Sequence, residues 1–415
     1  MSYNKILIKE NYLLFIIYIS LIFSVYFGFF LNENSTGGAQ QDYFIHKKIS
    51  SMFTSNFITT LMDYENLKTR HSPIIPIYFS LYNFFEIPDV IIRLIHLHSS
   101  FFLTIIFYKC VKLKFGTQNK KVIILISLLL LLSPTVRSLA IWPDSHLYGL
   151  IFFLISVFWY LKFIINKNKF IYIFLNILFL AIASYIRPSF CLFSIYFTFN
   201  YYKNFNLNYK FYLIILINFL LALPAFYYLF ILDIMFLTSN AVSDINSYIR
   251  LNPANKLLII SSIIFFHLIP IIILKFQFFK NKIKQIKIFE FSLIPTLFLI
   301  SLYYFNYELS FTGGGIFLHF SLFFNNMILF YIISFFSLLF VYLLGKNSLN
   351  NSLILVIFFL INPQLTIYHK YYDPLVLIVF FLLININIKN LNFDYKKLSI
   401  FYFHSLFFLI LNIIK

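Results

Sequence analysis

Long apolar runs alternate with short polar segments along the whole chain. Most of these runs approach the ~20 residues that an α-helix needs to cross the apolar interior of a bilayer. The pattern therefore predicts an all-α, polytopic membrane protein with about 11–13 transmembrane helices. The candidate segments are 12–31, 89–111, 122–141, 145–164, 170–186, 188–202, 211–232, 256–274, 288–305, 325–344, 352–367, 374–388 and 399–414.

The polar connections indicate how the chain is oriented. Only 11% of the 415 residues are charged, against about 25% in a soluble globular protein. The formal charge of +18 comes mainly from lysines, which form small clusters at alternate ends of the predicted helices. Because cytoplasmic loops are enriched in basic residues, the N-terminus is expected to be cytoplasmic. The charge thus indicates orientation in a membrane, and no nucleic-acid partner is expected.

In this topology the chain is a single integral membrane domain, 1–415, with one long extracytoplasmic loop near its start. That loop, 32–88, contains an amphipathic segment after "NSTGG" and a short apolar stretch, 73–85. Both are expected to form interfacial helices, because neither is long and apolar enough to span a bilayer. Further outer loops are expected at 233–255 and 306–324.

Arginine is rare, and all of it falls at or near the predicted outer side, whereas the predicted cytoplasmic cations are lysines. A guanidinium group can bind a phosphate or carboxylate through two parallel hydrogen bonds, which an ammonium group cannot do. We therefore interpret at least two arginines as ligands of an external anion; the alternative is ordinary anchoring at helix ends. The five are Arg70, Arg93, Arg137, Arg187 and Arg250.

The stretch "GGAQQDYFIHKK" supplies the candidate catalytic acid, Asp42. Asp42, His46 and the pair 49–50 recur at helical spacing, which places them on one face of a predicted helix. Asp42 can act there as a general base at the membrane surface. The structural alternative is that Asp42 is the N-cap or first-turn acid of this helix.

Several motifs, taken in order, resemble the GT-C superfamily of membrane glycosyltransferases, which includes protein O-mannosyltransferases and aminoarabinose transferases. The acidic loop "GGAQQDYFIHKK" is followed by "RHSPIIPIYFSLYNFF", similar to the family's juxtamembrane helix, and by "DVIIRLIHLHSS". Later come "LLSPTVRSLAIWPDSHLYG", "SYIRPSF" and "YHKYYDPLVLI". The chain departs from the family in reading "HSP" where "HPP" is common, and in carrying Lys370 where arginine is common.

The resemblance implies an inverting glycosyltransferase that takes a sugar from a polyprenyl-phosphate donor. The acceptor is a lipid, glycan or protein, and the reaction lies at the extracytoplasmic face of the bacterial cytoplasmic membrane. Asp42 is the implied catalytic base. The implied substrate-binding residues are Arg187, Lys370, Arg93, Asp144, His369, Tyr371, Tyr372, His46 and His71.

Several of these residues have structural alternatives. Tyr371 and Tyr372 are equally suited to an aromatic belt at the membrane interface. Arg93 can anchor a helix end, and Asp144, which follows a proline, is a strong helix-capping candidate. The glycines of "FTGGGIFLHF" indicate either a backbone approached closely by other groups or a plain flexible loop.

No cofactor and no metal site are predicted, although a divalent ion between Asp42 and Asp144 is left open. The competing functions are a lipid-linked glycan flippase or other transporter, an O-antigen-type polymerase, and a membrane scaffold. Transporters place ionisable groups near the bilayer midplane and use broken helices. Here most ionisable groups lie at predicted helix ends, which favours the glycosyltransferase.

Overall fold

The structure is a computed structural model that describes residues 2–67, 69–116, 119–237, 252–309, 313–346, 348–385 and 393–414. Within these ranges the chain is all-α and forms no strand, apart from one isolated bridge between Gly313 and Tyr368. Arg250, Lys389 and most of the predicted outer loop 233–255 lie outside the described residues.

The first half of the chain forms ten α-helices within the described ranges. They are α1 (Ser2–Phe30), α2 (Ala39–Ser55), α3 (Phe57–Met62), α4 (Ile74–Phe84), α5 (Asp89–Lys114), α6 (Lys120–Leu128), α7 (Pro134–Ile141), α8 (Ser145–Ile165), α9 (Phe170–Ile186) and α10 (Phe193–Phe205). Two of them, α2 and α4, confirm that the predicted first outer loop contains helices.

The second half contributes nine more α-helices among the described residues. They are α11 (Tyr209–Phe226), α12 (Pro253–Leu274), α13 (Phe276–Lys284), α14 (Ile288–Tyr303), α15 (Gly315–Phe323), α16 (Met327–Gly345), α17 (Leu349–Leu360), α18 (Leu375–Leu382) and α19 (Tyr395–Ile414). Most of the predicted helices are therefore confirmed to within a few residues.

Six of the described helices are long and apolar enough to cross a membrane, or eight if each of two bent pairs counts as one span. They identify the chain as a polytopic integral membrane protein. The expected 11–13 spans exceed this number because several of the predicted helices form but are short. Two of the predicted spans that form shorter apolar helices are Phe170–Ile186 and Leu349–Leu360.

The predicted helix 122–141 is broken rather than continuous. Pro134 lacks the N–H that would continue the helical hydrogen bonding, so it starts a new helix instead. The Ser133 hydroxyl caps that helix by accepting from the Val136 amide at 3.1 Å. The two parts, Lys120–Leu132 and α7, meet at an angle of 63°.

Two of the predicted spans, 352–367 and 374–388, form only short helices. At ~1.5 Å per residue, the 12 residues of α17 and the 8 of α18 rise about 18 and 12 Å, short of the ~30 Å bilayer core. The Asn351 side chain bonds both backbone groups of Asn385, at 2.8 and 3.3 Å. The segment 349–385 is therefore a helical hairpin whose two ends meet and whose tip is 361–374.

The chain divides into two compact units. Unit one comprises Met1–Phe57, Ile74–Phe179 and Lys389–Lys415. Unit two comprises Ile58–Pro73 and Leu180–Ile388. The candidate site residues are accordingly described within the unit to which each belongs.

A buried ion pair organises the start of unit one. Arg137, on α7, donates from Nε and Nη2 to both carboxylate oxygens of Glu33, at 2.6 to 3.1 Å. Its Nη1 and Nη2 also donate to the hydroxyl and the carbonyl of Ser24 on α1. The pair is nearly inaccessible, with the side chains 5% and 10% exposed. It therefore ties α1, α7 and the turn before α2 together.

The rest of that turn, 32–38, is fastened to the same helix. The Ser35 hydroxyl donates to the Pro134 carbonyl at 2.9 Å, and the Thr36 and Ser138 hydroxyls are 2.9 Å apart. The Trp142 indole donates to the Glu33 carbonyl at 3.1 Å. The segment "NENSTGG", which looks flexible in sequence, is thus held against α7 and fixes where α2 begins.

Gly28 on α1 leaves the space that the ion pair occupies. A Cβ at this position would lie 2.3 Å from Glu33 Oε2 and 3.0 Å from Arg137 Nη2. Gly28→Ala should lower the temperature of thermal unfolding of the purified protein in detergent. Because alanine is favoured over glycine inside a helix by about 1 kcal/mol, a decrease reports the clash rather than helix propensity.

Gly38→Ala is the matched control for this substitution. Gly38 has a negative φ of −109°, and no atom lies within 4 Å of its added Cβ. The unfolding temperature of Gly38→Ala should stay much closer to that of the wild type. Equal unfolding temperatures for the two variants would contradict the close packing assigned to Gly28.

Candidate functional site

Asp42 lies in the first turn of α2, in unit one. Its amide donates to the Gly38 carbonyl at 3.0 Å, and Gly38, not Asp42, occupies the N-cap position. Asp42 is half-buried, while His46, Ile49 and Ser50 further along α2 are buried. The predicted helix that carries Asp42, His46 and the pair 49–50 is therefore confirmed. Of the two structural alternatives for Asp42, the structure shows the first-turn acid and not the N-cap.

Asp89 holds α2 in place, a role that the sequence did not reveal. The Tyr43 hydroxyl and the Lys47 ammonium group both donate to Asp89 Oδ1, the latter at 2.8 Å. Burial, reinforced by this hydrogen bond, raises the pKa of Tyr43 far above its ordinary value. Tyr43 thus stays a protonated donor and joins α2, next to Asp42, to the start of α5.

Arg93 is engaged by protein groups within unit one. Its guanidinium carbon lies 3.9 Å from the centre of the Trp142 ring, and Nε donates to the Ile141 carbonyl at 3.1 Å. Its Nη2 donates to the Asn32 side chain at 2.8 Å. Arg93 therefore connects α5 with the end of α7 and the turn 32–38. Its predicted contact with substrate phosphate stays a prediction.

Asp144 is the N-cap of α8, as its structural alternative proposed. Asp144 Oδ1 accepts from the His146 amide at 2.8 Å and from the Ser145 hydroxyl at 2.9 Å, and the residue is fully buried. The fully buried His46 has a ring nitrogen within 4.8 Å of an Asp144 oxygen. Unit one thus places an imidazole and a carboxylate close together at the start of α8.

Arg187, in unit two, differs from Arg137 in having no acidic partner among the described residues. It lies between the end of α9 and a 3₁₀ turn that starts at Pro188, and it is only 8% exposed. Its guanidinium carbon lies 4.5 Å from the centre of the Tyr371 ring. Within the described ranges, its side chain makes no hydrogen bond and no ion pair.

A buried cation without a counter-charge is costly, because burial removes the water that would otherwise stabilise it. A single cation–π contact returns only about 0.5–2 kcal/mol. Arg137 has Glu33 and Arg93 has carbonyl and amide oxygens, whereas Arg187 has an aromatic face alone. Its five N–H donors are therefore suited to an anionic ligand.

The tip of the 349–385 hairpin brings the late motif "YHKYYDP" against α12 and Arg187. His369 Nε2 lies 2.9 Å from His267 Nε2 on α12. Lys370 is half-buried, with its Nζ 5.9 Å from the Tyr368 ring centre. The structure thus brings His369 and Lys370 into the same turn as Tyr371, the residue that stacks on Arg187.

The two tyrosines of this motif are core residues rather than interfacial anchors. Tyr372 is fully buried and its hydroxyl donates to the Phe358 carbonyl at 3.2 Å. Burial raises the pKa of Tyr372 well above its ordinary value. Tyr371 is also buried, with its ring against Arg187. Both help to fix the hairpin tip, and Tyr371 additionally orients the arginine.

The glycine cluster packs closely against that tip. Gly313 pairs with Tyr368, and the Gly314 amide donates to the Ile367 carbonyl at 3.0 Å. A Cβ on Gly315, whose φ is +73°, would lie 2.7 Å from Ile263. The close-approach alternative is therefore correct for 313–315.

Tyr307 links the same tip to the segment after α14. Its hydroxyl accepts from the Ile367 amide at 3.1 Å, and burial raises the pKa of Tyr307 to about 12. His71, the remaining predicted ligand, is half-buried in unit two, and its carbonyl accepts from the Tyr64 hydroxyl at 2.9 Å. Beside it, the Ser72 hydroxyl donates to the Tyr185 carbonyl.

The structure therefore groups the predicted residues within each unit. Unit one holds Asp42, His46, Arg93 and Asp144, whereas unit two holds His71, Arg187 and the segment 369–372. The sequence did not reveal Glu33, Asp89 or His267, because each acts through a partner that is distant along the chain. Compared with models of protein families, with curated proteins and with solved structures, the chain shows no significant match.

Matched substitutions of the two arginines test the contrast between them. Arg137→Met leaves the Glu33 carboxylate buried without its cation and should destabilise the protein by about 3–5 kcal/mol. Arg187→Met removes a buried charge that has no acidic partner among the described residues, so it should be nearly neutral or stabilising. Thermal unfolding of both ligand-free variants in detergent checks this. A large loss of stability in Arg187→Met would show that a protein group already neutralises Arg187.

Proposed function

We propose that the protein is a GT-C-type glycosyltransferase that takes a sugar from a polyprenyl-phosphate donor. The observation that carries the proposal is the buried Arg187, whose side chain makes a cation–π contact with Tyr371 but no hydrogen bond and no ion pair among the described residues. In a polytopic membrane protein, a phosphate on a lipid carrier is an anion of suitable chemistry for this group. Lys370 and His369, in the turn that carries Tyr371, supply further hydrogen-bond donors.

The proposed reaction is a single displacement at the anomeric carbon. The acceptor hydroxyl oxygen forms a bond to this carbon while the bond from the carbon to the donor phosphate oxygen breaks. The electron pair of the broken bond leaves on the phosphate, and Arg187 stabilises the negative charge that develops there. The configuration at the anomeric carbon is inverted.

Asp42 takes the proton of the acceptor hydroxyl in this proposal. A general base needs a carboxylate within reach of the acceptor, and Asp42 is half-buried rather than enclosed. Negative charge is stabilised near a helix N-terminus, where Asp42 lies. The hydrogen bonds of Tyr43 and Lys47 to Asp89 keep this turn in position.

The remaining predicted residues receive supporting roles. His46, Asp144 and Arg93 shape the surroundings of α2 in unit one, and His71 belongs to unit two. The acceptor is a lipid, glycan or protein. We propose the bacterial cytoplasmic membrane as the location, with the N-terminus cytoplasmic and the reaction on the extracytoplasmic face, because the lysine distribution favours this orientation.

A transporter of lipid-linked glycans is the second candidate, and one observation favours it. His267 lies inside the candidate span α12 and contacts His369 at the tip of a hairpin built from two short helices. Ionisable groups within a span and interrupted helices are typical of transporters. A transporter would move the donor without consuming it, so measuring donor turnover distinguishes the two functions.

Asp42→Asn should abolish sugar transfer while leaving the fold intact, because asparagine keeps the size of the side chain but cannot accept the proton. The measurement is the glycan profile of cells that carry wild type, a deletion or Asp42→Asn at matched protein levels. Asp42→Asn should reproduce the missing sugar of the deletion.

Glu86→Gln is the matched control, because Glu86 is an exposed carboxylate in the same predicted outer loop. Its glycan profile should equal that of the wild type. If Asp42→Asn retains the wild-type profile while the deletion loses glycan, Asp42 is a structural first-turn acid. Persistence of donor consumption at the wild-type rate in purified Asp42→Asn would likewise remove Asp42 from catalysis.

A further inference from the structure

Lys256 is a second buried cation of unit two. It is the fourth residue of α12 and only 6% exposed. Within the part of the chain that the structure describes, its ammonium group makes no hydrogen bond and no ion pair. Nothing in the sequence motifs pointed to it, because many other lysines of the chain also lie at the ends of apolar helices.

The position of Lys256 in its helix concentrates positive charge. Lys256 lies near the start of α12, and side chains on a helix generally lean toward its N-terminus. A helix N-terminus itself carries a partial positive charge, and a cation there is unfavourable. The ammonium group and the helix dipole therefore add at one end of α12, where a bound anion would relieve both.

The neighbouring polar groups are neutral and already engaged with one another. Asn306 Oδ1 accepts from the side-chain amides of Asn252 and Asn255, each at 3.0 Å. The Asn306 amide in turn donates to Asn255 Oδ1 at 3.0 Å. These amides fix the start of α12 and the end of α14, but they bring no negative charge to Lys256.

Other lysines of unit two have partners within the protein. Lys346 forms an ion pair with Glu290, and Lys282 donates to the Leu343 carbonyl at 2.9 Å. Both are therefore satisfied by protein groups. Lys256 is more buried than an ordinary helix-end lysine and lacks a comparable partner among the described residues.

We propose that the N-terminal end of α12 binds a phosphate group, with Lys256 as its cationic ligand. Helix N-termini and lysine together are a recurrent way of binding phosphate. Because α12 is a candidate membrane span, its first turn lies at the edge of an apolar segment, where the phosphate of a lipid is available. The inference rests on Lys256 and not on glycosyl transfer.

The test is thermal unfolding of the full-length protein in detergent with three separate probes: a polyprenyl phosphate, phosphatidylglycerol and inorganic phosphate. All proteins carry Arg187→Met, so that binding at Arg187 does not contribute. At least one probe should raise the unfolding temperature by a few degrees, because a ligand that binds the native state stabilises it. Adding Lys256→Met should abolish this increase.

The ligand-free proteins supply a second readout. Lys256→Met removes an unpartnered charge and should leave the unfolding temperature unchanged or raise it. Lys346→Met, the matched control, breaks the ion pair with Glu290; it should lower the unfolding temperature but keep the probe-dependent increase.

The three probes also distinguish the sources of the phosphate. An increase with inorganic phosphate shows that the site recognises the phosphate group itself, whereas an increase with the lipids alone shows that it requires a lipid phosphate. The proposal is overturned if none of the probes raises the unfolding temperature, or if the increase survives Lys256→Met. Neither result bears on Arg187 or Asp42.

Discussion

The buried pairing of Arg137 with Glu33 is the interaction on which the arrangement of unit one depends. It joins α1 and α7 to the turn 32–38, a segment whose glycines and small polar residues give it little structure of its own. Because the turn is fixed, the first turn of α2 is fixed as well, and with it the position of Asp42. Because the pair is buried, both partners are required: either one alone would be an uncompensated charge in an apolar environment.

The free-energy cost of burying an unpaired charge also points to a functional region in unit two. There Arg187 and Lys256 are buried to a similar degree as Arg137, but the described residues provide neither with an acid. Buried cations that lack an acidic partner among the described residues are suited to receive an anion. The aromatic ring of Tyr371 keeps the Arg187 guanidinium oriented while its N–H groups stay suited to a phosphate.

The sequence predicted the helices well because apolar periodicity is a local property of the chain. It missed the early end of α17, although Asn362 precedes a proline there and this context disfavours helix. For the candidate site, local motifs pointed to Asp42, Arg187 and the segment 369–372, and helix capping accounts for the position of Asp144. Glu33, Asp89, His267 and Lys256 could not be recognised, because their significance lies in the presence or absence of partners that are remote in sequence.

We propose that Arg187 binds the phosphate of a lipid-linked donor. The most direct measurement is the equilibrium affinity of the purified protein for a polyprenyl phosphate, compared between the wild type and Arg187→Met. Loss of charge-assisted hydrogen bonds worth about 1.5–3 kcal/mol predicts an affinity roughly ten- to a hundredfold weaker in the variant. Equal affinities for the two proteins would show that Arg187 does not bind this phosphate.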